Sequence, residues 1–225
     1  MKKKIDTETV RNTAILLTAA ALVFTVLVRF VNVQPIGPNG SEVGFASVNK
    51  AAAEAIGVSI FWYEISQTLG ILAILVCVFF AALGAYQLIR EKSIRKVDRR
   101  ILALGGLYAV TVFLYVLFDK LAINYRPVLE NGVLEPSYPS SHTMLSLVAF
   151  GSVFLLVRRF FAEAKPRRII GAAALVLLVL TVLSRLLSGF HWLTDIIGGI
   201  LIAAALLAWF AWLLDRPKKR RNKKA

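Results

Sequence analysis

Six long apolar runs constrain this chain more than anything else in it. They fall at roughly 13–33, 65–89, 101–118, 143–157, 169–183 and 196–214. About 20 apolar residues is the length an α-helix needs to cross a bilayer, and flanking helix extends the shorter runs. A helix also satisfies its own backbone hydrogen bonds where no water can. The expected fold is therefore all-α: a polytopic membrane protein with six transmembrane helices in one bundle, residues 1–225 forming a single domain. Composition agrees, with 58% hydrophobic residues and a mean hydropathy of +0.70, whereas a soluble domain is about 45–50% apolar. The single cysteine, Cys77, excludes an internal disulfide and a thiolate metal cluster. It reads as a small packing or lipid-facing residue.

A net charge of +14 would suit nucleic-acid binding, but the placement of the cations excludes that class. All but five of the 27 Lys and Arg residues lie before residue 12, in the loops 90–100 and 158–168, or from Arg216 onward. Six spans put those four segments on one side. The positive-inside rule makes that side the cytoplasm, so both termini, with basic tails at 1–11 and 215–225, are expected there. The tails are then topology signals that also meet anionic lipid. Membrane lipid is an expected partner and nucleic acid is not; oligomeric state is not readable. The first apolar run follows three lysines, as in a signal peptide. It continues past signal-peptide length without a small-residue cleavage site, and so reads as an uncleaved anchor.

The stretch between the first two runs opens with turn-forming Pro, Gly and Asn. Then "GFASVNKAAAEAIG" places Phe45, Val48, Ala52, Ala55 and Ile56 at helical spacing. This suits a short interfacial helix on the outer surface, or plain loop packing. Trp62 and Tyr63 fit an interfacial aromatic belt at the start of the second span.

The five remaining cations are Arg29, Lys50, Lys120, Arg126 and Arg185, and the last three share two stretches with both histidines of the chain. One stretch runs from Asp119 to Leu145 and holds "NYRP" and "PSSH"; the other is "SRLLSGFHWLTD", Ser184 to Asp195. His191 and Asp195 stand at i,i+4, on one face of a helix. A carboxylate on one ring nitrogen fixes the tautomer and makes the other nitrogen a better nucleophile or base. Three cations suit a phosphate dianion, with arginine giving forked hydrogen bonds and stabilising charge on a transferring phosphoryl group. "PSSH" brings hydroxyls and backbone N–H groups to the start of the fourth span, where a helix N-terminus favours anions. One histidine can attack phosphorus while a second protonates the leaving oxygen. No acidic cluster for Mg²⁺ accompanies them, and two histidines without Cys or Glu partners make a poor zinc site, so no cofactor or metal is expected.

At these residues the chain resembles the type 2 phosphatidic acid phosphatase family, the lipid phosphate phosphatases whose fold is shared with vanadium-dependent haloperoxidases. The family motif S-R-x5-H-x3-D is met in full by Ser184, Arg185, His191 and Asp195. P-S-G-H appears as Pro139, Ser140, Ser141 and His142, with serine in place of glycine. K-x6-R-P appears as Lys120, Arg126 and Pro127 with five intervening residues. One residue fewer turns a helix by about 100°. The resemblance covers residues 119–195; the first half matches only in its number of spans.

It implies a metal-independent hydrolase of lipid phosphates or pyrophosphates at the extracytoplasmic face of the cell membrane. His191 would form a phosphohistidine, Asp195 would orient it, and His142 would protonate the leaving group and then activate water. Lys120, Arg126, Ser140, Ser141 and Arg185 would hold the phosphate. Undecaprenyl pyrophosphate, phosphatidic acid and phosphatidylglycerophosphate are the implied substrates, which the residues do not separate. A phosphotransferase using the same phosphohistidine is a second reading. A transporter would instead need ionisable groups deep within its spans.

Overall fold

The computed structural model describes residues 7–130 and 132–216. Most of both basic tails lies outside the described residues. Among the described residues seven α-helices follow one another: α1 Thr7–Phe30, α2 Ala46–Ile56, α3 Ile60–Glu91, α4 Arg99–Leu121, α5 Ser141–Phe160, α6 Ala164–Ser188 and α7 Leu193–Asp215. All except α2 are long and apolar enough to cross a membrane. Each expected apolar run matches one of these six; the last five lie within their helices, while the first runs three residues past the end of α1 at Phe30. At 32 residues, α3 is about 48 Å long and outreaches a hydrocarbon layer of about 30 Å.

Helix α5 is the most buried of the six. It packs against α3, α4, α6 and α7, while α1 lies on α7. The main core joins Leu104 and Leu107 of α4, Leu147, Val148 and Leu156 of α5, and Ala203 and Phe210 of α7. Close approach of α5 and α7 depends on Gly151, where an added Cβ would fall 2.4 Å from Leu207. Outward faces of α1, α3, α4 and α6 carry Leu16, Phe79, Phe113 and Val176, all exposed. In water such surfaces would aggregate; in lipid they are the solvated face. The chain is a multi-pass membrane protein.

Polar contacts fix the two ends of the bundle. At one end Arg99 donates to the carbonyls of Leu213 and Arg216, and Arg159 to that of Leu214. These guanidinium groups satisfy the last carbonyls of α7, which have no partner within the helix. The cation-rich loops therefore gather at this end.

At the other end α2 docks on α7 through a polar residue. Asn49 is buried; its amide donates to the Gly44 carbonyl and to Thr194 Oγ1, and its oxygen accepts from the Thr194 N–H. The short helix is present, but its buried face holds Ala46 and Asn49, while Val48 and Ala55 are exposed. An amide answering three polar groups outweighs one more buried methyl cluster. Tyr63, at the start of α3, packs against Phe190 with ring centroids 4.1 Å apart. Between α6 and α7 the chain turns at Gly189, whose φ of 72° suits glycine. A side chain there would also meet the Gly57 carbonyl at 2.1 Å.

Candidate active site

The α6–α7 turn carries His191 into the end of the bundle, where the side chain is almost wholly buried. Asp195, in the first turn of α7, faces it with Oδ2 3.4 Å from Nδ1. His191 precedes the helix, so the two meet across the helix start and not along one helical face as the i,i+4 spacing predicts. The same Oδ2 accepts the Trp192 N–H at 3.0 Å, one of the unpaired donors at the helix start. Asn124 donates to Asp195 Oδ1 at 3.4 Å, and its own oxygen accepts from the Gly44 N–H. The carboxylate is thus held by two segments, the α6–α7 turn and the stretch after α4, and the second is braced in turn by Gly44.

Arg185, in the last turn of α6, is fully buried. Its Nη1 donates to Ser66 Oγ at 3.0 Å and its Nη2 to His191 Nε2 at 2.9 Å. A guanidinium only donates, so Nε2 must accept. Nε2 therefore carries the lone pair, and Nδ1–H points at Asp195. Burial first, then the charges of Arg185, Arg126 and His142, push the His191 pKa well below 6.5. The imidazole is held neutral, as a nucleophile must be.

His142 sits in the first turn of α5, at the same end of the bundle. Gly70 of α3 lets it approach: a Cβ there would fall 2.7 Å from His142 Cδ2. Ser140 and Ser141 divide their work. Ser140 caps α5, its Oγ accepting from the Thr143 N–H at 3.4 Å and from the Thr143 hydroxyl at 3.0 Å. Its own N–H donates to the Asp195 carbonyl, tying the two stretches together. Ser141 instead lines both cavities of the site.

Arg126 pairs through Nη1 with Glu130 and through Nη2 with Glu135 at 3.1 Å. Lys120 stands apart. Its side chain is 80% exposed, pairs with Asp119 at 3.7 Å and lines neither cavity.

One cavity, of about 30 Å³, lies among Arg126, Ser137, Ser141 and His191. It shares Tyr115, Ser141 and Met144 with a larger, mainly apolar groove of about 380 Å³ that begins at His142. Ile71, Ile74 and Val112 line this groove from α3 and α4 and are half or more exposed, so it opens sideways to lipid. Arg126 Nε, Arg185 Nε and His142 Nδ1 are buried without a hydrogen-bond partner among the described residues. Buried polar atoms are normally answered, and these three belong to residues at the same end of the bundle as His191.

Several contributors were not singled out in the sequence. Ser66, Gln67 and Gly70 come from α3, outside the three motifs; "SQT" inside an apolar run was the available signal. Asn49 lies inside α2 but off the apolar spacing that marked that helix, and Asn124, Glu130 and Glu135 lie in the connection between α4 and α5, with no periodicity to mark them.

The site thus joins a lipid-facing groove that ends at His142 to a small cavity lined by Arg126 and His191. A family model described as the PAP2 superfamily matches residues 100–219, more than half of the chain and all three motif stretches. The chain belongs to the PAP2 superfamily. Among solved structures, a transmembrane PAP2-type phosphatidylglycerolphosphate phosphatase from Bacillus subtilis is similar in fold, with a TM-score of 0.63 and 20% identity over 93% of this chain and 98% of that one. No curated protein sequence matches.

Proposed function

We propose that the chain hydrolyses lipid phosphates through a phosphohistidine at His191, without a metal. The observation that carries this reading is the Arg185–His191–Asp195 chain, which leaves the lone pair on Nε2. When the substrate phosphate draws the Arg185 guanidinium onto its oxygens, Nε2 is free to attack. In the first step an Nε2–P bond forms and the P–O bond to the leaving group breaks, with His142 supplying the proton to the departing oxygen. In the second step water attacks phosphorus, His142 takes its proton, and the N–P bond breaks to release inorganic phosphate. Arg185 and Arg126 stabilise charge on the phosphoryl oxygens in both steps, and Ser141 stands beside them. Ser140 serves by shaping the start of α5. Lys120 reaches the phosphate only if its side chain swings inward from its present exposed position.

The sideways groove supports a lipid substrate, since it offers an acyl or prenyl chain an apolar path ending at His142. The gathering of cations at the far end supports an active site on the extracytoplasmic side.

The test is phosphate release by purified protein in detergent, with EDTA, from phosphatidic acid, phosphatidylglycerophosphate and a polyprenyl pyrophosphate. Release that persists in EDTA and is inhibited by vanadate is expected. Loss of all activity in EDTA, restored by a divalent ion, contradicts the metal-free mechanism.

A further inference from the structure

Arg126 is the one guanidinium of the cluster already paired to carboxylate side chains. Glu130 and Glu135 lie on its two Nη atoms, and the Arg126 N–H donates to the Glu135 carbonyl at 3.0 Å. A guanidinium fork fits one carboxylate much as it fits one phosphate. Glu130 is also held from the other side, where the Tyr63 hydroxyl donates to its Oε1 at 2.6 Å and Gln67 in turn donates to Tyr63. Backbone hydrogen bonds between Glu130 and Val133 brace the loop that presents it. Asp119 lines the same small cavity as Arg126 and is paired with Lys120.

We propose that Glu130 is a resident competitor for Arg126, displaced when a substrate phosphate binds, and that it biases the site toward lipid phosphomonoesters over diphosphates. The inference rests on the phosphate-site reading above. Displacement costs the Glu130–Arg126 pair, so the phosphate gains less from Arg126 than an open guanidinium would give. Tyr63 keeps the displaced carboxylate close by. A monoester presents a neutral alcohol as leaving group, which a neighbouring carboxylate tolerates. A diphosphate brings a second phosphate and so more negative charge than a monoester, which adds repulsion from Glu130 and Glu135 beside the site.

Glu130→Gln tests this, because the amide is the same size, still accepts from Tyr63 and has no charge to offer Arg126. Orthovanadate is the probe for the phosphate position, measured by calorimetry on the purified full-length protein. The expected result is a Kd about tenfold lower than in the unchanged protein, or about 1.4 kcal/mol. In parallel, the KM for a polyprenyl diphosphate is expected to fall more than that for phosphatidic acid. Vanadate binding that is unchanged or weaker overturns the competition. Equal shifts in the two KM values overturn the bias toward monoesters. If the amide variant does not fold, Glu130→Asp, one methylene too short to reach Arg126 and Tyr63 together, is expected to move vanadate affinity in the same direction. Failure of the unchanged protein both to bind vanadate and to release phosphate overturns this inference together with the phosphatase reading. Normal binding and release with no tightening in either variant overturns the inference alone.

Discussion

Changing His191 to alanine is expected to abolish phosphate release, lowering kcat by about 10⁴-fold or more, as loss of a covalent nucleophile does elsewhere. No other imidazole can stand in. His142 lies in a different helix and opens on the apolar groove, and the Asp195–Arg185 alignment serves only the 191 ring. The alanine leaves Asp195 bonded to the Trp192 N–H and to Asn124, so the α7 start keeps its cap. The variant should purify as a folded protein with a melting temperature near that of the unchanged chain. Steady-state phosphate release, normalised to folded protein, is the measurement. Turnover within tenfold of the unchanged protein would remove His191 from the mechanism.

Arg185→Lys is the second large effect, with kcat/KM expected to fall by about 10²- to 10³-fold although charge is conserved. The guanidinium bridges α3 and the α6–α7 turn by donating at once to Ser66 Oγ and His191 Nε2. An ammonium is a point charge on a flexible stem and does not reproduce a planar fork. In a fully buried position the geometry is not repaired by water. Lys120→Ala, by contrast, is expected to change kcat/KM by less than about threefold, because its exposed ammonium lies in high dielectric and is screened by salt. If the two substitutions had equal effects, the assignment of phosphate contacts would have to be redrawn.

Much of this arrangement was legible in the sequence because it is local. Apolar run length yields six spans, and the short interval from Arg185 through His191 to Asp195 keeps those residues near one turn, although that turn and not a shared helix face brings His191 to Asp195. The one-residue deficit between Lys120 and Arg126 also carried information, since the structure turns Lys120 away while Arg126 stays with the cluster.

What stayed hidden depends on contacts between elements. Ser66 is an unremarkable polar residue in an apolar run until α6 brings Arg185 against it. Val48 had the better apolar spacing, yet α2 buries Asn49, because the carbonyl of Gly44 and the polar groups of Thr194 needed an answer. "PSSH" reads as two equivalent hydroxyls, and only the path of the chain into α5 makes one a cap and the other a cavity wall. Glu130 and Glu135 belong to no motif in the sequence. Their role follows from a hairpin that folds back on Arg126, and no pattern within nine residues of sequence announces that closure.

The central claim is a covalent N–P bond at Nε2 of His191. It is tested most directly by rapid acid-free quenching of the enzyme with a phosphate-labelled lipid, followed by peptide mass spectrometry. The account predicts a base-stable, acid-labile phosphoryl group on the peptide containing His191, formed faster than turnover and absent in His191→Ala. Product formed at full rate with no label on that peptide at any quench time would contradict it.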